Sequence, residues 1–316
     1  MVLMDTGHLS SKGVYAMPLT RKTILGMKKR IMTVKWTTSL LGVFLLFCSQ
    51  AALAQKTPVR EIKRLAGDVY RFQNNFHFSV FMVTPKGIIV TDPINPDAAK
   101  WLKREIAKRF QLPVKYLIYS HDHADHIAGG EVFAETAVVV AHKYAKKHII
   151  DEGRPTAAPQ VTFSDRMEIE LGGKKVELVY LGLNHSDNLI VMRFPKERIL
   201  FAVDLVSHNR LPYRDLPNTH VEDWIESLKR MENMDFDILV PGHGEIGTRN
   251  DVRTHREYVE ELRRQVLHHM RAGKSLEELK KLVRMEKYKD WGSYKNWLEL
   301  NIEGMVRHLK LYRRAN

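Results

Sequence analysis

Three histidines and two aspartates fall within six positions in Ser120-His121-Asp122-His123-Ala124-Asp125-His126. Imidazole and carboxylate together suit a borderline divalent cation such as zinc, and five candidate ligands are more than one tetrahedral ion takes. The competing reading is a polar surface loop that happens to be rich in histidine. Three later positions weigh against it. His185 lies in the polar turn Gly182-Leu183-Asn184-His185-Ser186-Asp187-Asn188, Asp204 follows the apolar run 199–203, and His243 sits in Pro241-Gly242-His243-Gly244. A lone histidine in such a place is usually structural, but three single metal-capable residues beside small or turn-forming neighbours make a set with the opening cluster.

Strands must carry these residues. The apolar run 114–119, bounded by Pro113 and the polar cluster, reads as a buried strand, and Gly129-Gly130 allow a tight turn afterwards. Further strands are predicted over 69–72, 80–84, 87–92, 137–141, 167–171, 175–181, 188–194, 198–202 and 238–240. Pro85-Lys86-Gly87 and Gly172-Gly173 supply turn signals. Apolar residues at helical spacing, with charges between them, predict helices over 97–110, 142–150, 221–231, 252–272 and 297–312. Ser275 with Glu278 reads as a capping box. This order suggests two sheets packed face to face with helices outside and loops at one edge forming a site. Residues 55–249 read as the catalytic domain. Residues 250–316 read as a helical extension packed on it, or alternatively a surface on which a partner docks.

Composition narrows the function. The 316 residues are 44% hydrophobic and carry a formal net charge of +13. The basic excess is spread as Lys/Arg-Glu mixtures without interleaved aromatics, which indicates a solvated surface and no nucleic-acid partner. Met27-Lys28-Lys29-Arg30, the apolar run 39–47 and Ala52-Leu53-Ala54 have the layout of a secretory leader, with cleavage after Ala54. Residues 1–26 then read as a non-native upstream extension. The apolar run is short of the roughly 20 residues that span a bilayer. Phe47 precedes Cys48, which disfavours a lipid anchor, so the expectation is an exported protein, periplasmic or secreted, with no stable membrane anchor. From Gln55 onward there is no cysteine, hence neither disulfide nor thiolate ligand.

With His121, His123, Asp125 and His126 followed by His185, Asp204 and His243, the chain resembles the metallo-β-lactamase superfamily over roughly residues 69–247. The resemblance implies a four-layer αβ/βα sandwich (α+β) and a dinuclear metal centre, expected to hold two Zn2+, with iron or manganese as substitutes. It implies one metal on His121, His123 and His185, a second on Asp125, His126 and His243, and Asp204 bridging both or completing the second. Two ions sharing a water lower its pKa towards neutrality and polarise a substrate carbonyl, and Asp125 is expected to orient that nucleophile. Asp92 is similar to the family's acidic residue that supports the metal loop. Asp122 is the non-ligand position and receives no role.

Residues 185–201 are similar to the main zinc β-lactamase subclass, which has cysteine where this chain has Asp204. Aspartate there is similar to hydroxyacylglutathione hydrolases and lactonases, so the implied reaction is opening of a small-molecule ester, thioester, lactone or lactam. Residues 209–217 look like a periplasmic branch tied to sulfur oxidation and quinoprotein systems, which leaves an accessory role there as one alternative. An iron-dependent, persulfide dioxygenase-like reaction at His121, His123 and Asp204 is another. His77, Arg210 and Tyr213 are the candidate substrate contacts, Arg210 being suited to an anionic group. His142 and His148, among lysines, read as a solvated face. Phe201, Trp224 and Trp297 read as core.

Overall fold

The computed structural model describes residues 57–312. The expected leader over 27–54, its cleavage site and the upstream extension 1–26 lie outside them. Among the described residues no helix is long and apolar enough to cross a membrane.

In chain order the structure runs β1 (Arg60–Ala66), β2 (Val69–Asn74), β3 (His77–Thr84), β4 (Gly87–Thr91), α1 (Pro96–Phe110), β5 (Val114–Ile118), α2 (Ala124–Ile127), α3 (Glu131–Ala134), β6 (Val138–His142) and α4 (Lys143–Asp151). It continues with β7 (Val161–Phe163), β8 (Arg166–Leu171), β9 (Lys174–Tyr180), β10 (Ile190–Phe194), β11 (Ile199–Phe201), α5 (Val221–Glu232) and β12 (Ile238–Val240). Helices α6 (Arg249–Arg271), α7 (Leu276–Leu282) and α8 (Tyr294–Tyr312) follow, with a 3-10 turn over Glu286–Tyr288.

Strands β1 to β7 lie side by side in one sheet, antiparallel up to β4 and parallel from there. The second sheet has the order β12-β11-β10-β9-β8, with only β11 and β12 parallel. The period-2 alternation of strand side chains divides the apolar residues among three layers. Val80, Met82, Ile89 and Ile118 of the first sheet meet Ile190, Met192, Phe194 and Phe201 of the second between the sheets. Phe81, Val90 and Leu117 point the other way, onto Leu102 and Ile106 of α1. Val191, Leu200 and Leu239 face outward onto Trp224 and Leu228 of α5, and the same layer continues through Tyr258, Leu262, Ile302 and Met305. The αβ/βα sandwich expected from the resemblance is therefore the observed architecture, and α6 and α8 share a core with the second sheet.

Local signals explain the boundaries. Pro96 opens α1, where its missing N–H costs nothing, and the Asn95 side chain accepts from the Ala98 amide. Ser275 and Glu278 form the reciprocal capping box that starts α7. The sequence pattern misses β1, whose REIKRLA run is charged, and three-residue β7, too short for a period to show.

Candidate metal centre

Each candidate ligand follows the end of a strand on one edge of the sandwich. His121 to His126 follow β5, His185 lies between β9 and β10, Asp204 follows β11 and His243 follows β12. The β2–β3 hairpin adds Phe76 and His77 from the side, because Phe78 donates its amide to Gly242 O at 2.8 Å and His77 bridges His243.

The backbone at this edge is held tightly. Asp92, with φ 23°, follows β4 in a conformation that non-glycine residues rarely adopt, and its Oδ1 accepts the Ser120 amide at 2.8 Å. Gly129 has φ 90°, and a Cβ there would stand 2.7 Å from Pro96 backbone atoms. A Cβ on Gly242 would meet Val203 Cγ1 at 2.5 Å and His126 Cε1 at 2.9 Å, so the β12 loop comes this close only with glycine.

Two donor clusters result. The ligating atoms of His121, His123, His185 and Asp204 lie within 4.8 Å of one another, as do those of His126, Asp204 and His243. Asp204 is common to both. Its Oδ2 stands 3.3 Å from His126 Nε2 and 3.6 Å from the Nε2 atoms of both His121 and His185, while Oδ1 is 3.4 Å from His243 Nε2. His185 Nε2 lies 3.3 Å from His123 Nδ1, and His126 Nε2 lies 3.2 Å from His243 Nε2. Asp125 Oδ2 is 3.6 Å from His126 and 3.5 Å from His243. Two donors bonded at 2.0–2.1 Å to one tetrahedral ion stand about 3.3 Å apart. These spacings therefore fit a shared cation, and the buried His121 Nε2 has no hydrogen-bond partner within the protein.

Further contacts orient the rings. Ser120 Oγ meets His121 Nδ1 at 2.9 Å, and His126 turns Nδ1 towards Asp92 Oδ2, 3.8 Å away. Asp122 also has a structural role. Its Oδ2 accepts from Arg154 at 2.9 Å, its Oδ1 accepts from Asn188 Nδ2 at 2.8 Å, and its amide donates to Asn188 Oδ1 at 3.0 Å. That tie joins the β5 loop to the His185 loop, which is the kind of support that sets ligand orientation.

The electrostatics favour a cation. Burial alone would raise the Asp204 carboxyl, but His126, His243 and His185 hold it well below the usual range. Burial likewise opposes ionisation of Asp125, and hydrogen bonds from His243 and His77 override it. Burial lowers His121 strongly and His185 to about 4, leaving both neutral, the form that ligates. His126 is buried too, yet Asp204, Asp125 and Asp92 lift it to about 9. Burial raises Asp92 to about 6.

A cleft of about 480 Å³ opens over the cluster. All three candidate substrate contacts, His77, Arg210 and Tyr213, line it. Arg210 lies over both Phe76 and Trp297, its guanidinium carbon 4.5 and 4.4 Å from the two ring centroids. Tyr213 meets Trp297 edge-on at 5.3 Å. Trp297 corrects the sequence reading: it packs at the margin of the core and also forms a cleft wall. Its α8 position, more than 50 residues from the nearest ligand in sequence, hid this. Trp224 and Phe201 are buried as expected. His142 is not on a solvated face. It ends β6 buried, stacks on Tyr180 at 4.2 Å and bonds the Ser164 carbonyl at 2.9 Å. His148 pairs with Asp187 at 2.9 Å.

A four-layer sandwich with a histidine–aspartate cluster on its strand-end edge defines a class of metal-binding proteins. The metallo-beta-lactamase superfamily profile matches residues 74–243, more than half of the chain, and the chain belongs to that superfamily. It is 32% identical over 162 residues to the 2,4-dinitroanisole O-demethylase subunit alpha of Nocardioides sp. (strain JS1661), covering 50% of this chain and 49% of that protein. It is 28% identical to the metallo-beta-lactamase type 2 of Elizabethkingia meningoseptica over 207 residues, 61% of this chain and 82% of that one. The chain thus spans about half the length of the demethylase subunit and most of the lactamase. Among solved structures, a metallo-beta-lactamase from Pontibacter korlensis superposes with a TM-score of 0.59 at 20% identity, covering 64% of this chain and 99% of that one. That likeness speaks to the fold.

Proposed function

We propose that this protein is an exported, periplasmic metal-dependent hydrolase that opens an ester, thioester, lactone or lactam at a centre of two divalent ions, zinc being the expected metal. The observation that carries this reading is Asp204, whose carboxylate stands between two donor clusters beneath an apolar-walled cleft. His121, His123 and His185 would hold one ion, and Asp125, His126 and His243 the other. Bound there, the ions would supply Lewis acidity and a water acidic enough to act as nucleophile near neutral pH.

The remaining work falls to the chain. Asp125 is half exposed to the cleft and kept ionised, so it can accept a hydrogen bond from water and orient it for attack. Phe76 and Trp297 present rings that exclude water and hold an apolar substrate body. Arg210, packed on both, faces an anionic group on that substrate. Asp92 and Ser120 hold His126 and His121 in register without touching the substrate.

The aromatic walls also suit a second reading, cleavage of an activated aryl ether, since one relative is named a dinitroanisole O-demethylase. A panel of nitrocefin, lactones, a thioester and 2,4-dinitroanisole, assayed with zinc, manganese and iron, separates the two. Turnover of the acyl substrates with zinc supports acyl hydrolysis, whereas turnover of the ether alone overturns that reading. Oxygen uptake with a glutathione persulfide in the iron form would instead favour redox chemistry.

A further inference from the structure

His77 belongs to the metal cluster by position. The β2–β3 turn, with Asn75 at φ 55°, places it as the first residue of β3, and backbone pairing with the β12 loop fixes it opposite His243. The side chain follows from that backbone. Its Nε2 lies 3.3 Å from Asp125 Oδ2, and its ring centroid lies 4.5 Å from that of His243. The ligating atoms of His77, Asp125 and His243 all lie within 4.8 Å of one another. This triad shares His243 with the His126–Asp204–His243 group. Asp125 Oδ2 faces both, at 3.6 Å from His126 and 3.3 Å from His77.

We infer that His77 is a further ligand of the second ion, which is then held by His77, Asp125, His126, Asp204 and His243. This rests on the two-metal reading. Three imidazoles and two carboxylates suit a borderline divalent ion. The 3.3 Å between His77 Nε2 and Asp125 Oδ2 matches the spacing of the pairs His185–His123 and His126–His243. Five protein donors would leave the second ion little room for substrate. The β2–β3 hairpin then becomes part of the centre as well as its roof.

The test uses the full chain loaded with cobalt(II) and counts hyperfine-shifted imidazole N–H resonances by NMR, beside the metal content. The wild type is expected to hold two ions and show six shifted imidazoles, and His77→Gln five. Glutamine can still donate to Asp125 but does not ligate, so a purely positioning role would leave the count unchanged. Chelator competition should show the second ion released at least about tenfold more readily in His77→Gln, with the first unchanged. Two ions but five shifted imidazoles in both proteins overturns the role of His77 alone. One ion or none in the wild type overturns the two-metal reading on which it rests.

Discussion

Asp204 presents one carboxylate oxygen to His121, His126 and His185 and the other to His243. A hard carboxylate here, in place of a softer thiolate, favours ions that accept oxygen ligands. Asp204→Cys should therefore keep the fold while changing the ratio of bound zinc to manganese, measured by metal analysis of the two proteins side by side. His255 is a separate titrating group. Buried against Trp224, its pKa is lowered to about 4. An unfolded histidine titrates near 6.5, so below that pH the unfolded chain takes up a proton that the folded protein refuses. Stability is lost as pH falls from about 6.5 to 4, with a slope approaching one proton per chain. His255→Phe should remove that part of the slope in denaturant melts across the range. The ligand types and the acidic neighbours were legible because chemistry fixes them. Trp297 and its contact with Arg210 were not, because nothing local in a sequence shows which helix a loop will meet.

Among the elements, β5 does the most to position the site. Ile118, at its end, is fully buried between the sheets, two residues before Ser120. Ile118→Ala should cost about 2–5 kcal/mol in chemical denaturation. By loosening the loop it should also weaken metal retention more than Val176→Ala, a comparably buried change on β9. The strands that alternate or run fully apolar were readable from sequence, as were α1, α5, α6 and α8. Edge strand β1 was not: its partner strand decides its conformation, and its charges face solvent. The α4 region was read one step wrong at its start, since His142 closes a strand whose burial depends on Tyr180 from the other sheet.

For the whole molecule, the helices after residue 249 complete both the core and the cleft. Tyr258 donates to Asn301 Oδ1 at 2.7 Å, and Asn301 in turn donates to the Pro212 carbonyl at 3.0 Å, fixing the loop that carries Arg210 and Tyr213. Arg307 and His308 of α8 pair with Asp215 and Glu222. A chain ending at residue 249 would uncover Trp224, Leu228 and the outer face of the second sheet. It should be recovered only as aggregate, or without a cooperative melt, in an expression and thermal-denaturation trial. The two-sheet architecture and the order of the ligands could be read from sequence. That these helices pack on the domain was also read, but which sheet they cover was not, because their amphipathic pattern shows an apolar face without naming what it meets.

On the proposed two-metal reading, Asp204 would join both ions in one centre. The most direct measurement is the metal content per chain of purified protein after zinc reconstitution and dialysis, for the wild type and for Asp204→Ala. Two ions in the wild type and fewer than one in Asp204→Ala are expected, since the substitution removes a donor from both clusters. One ion or none in the wild type, or two ions retained by Asp204→Ala, would contradict it.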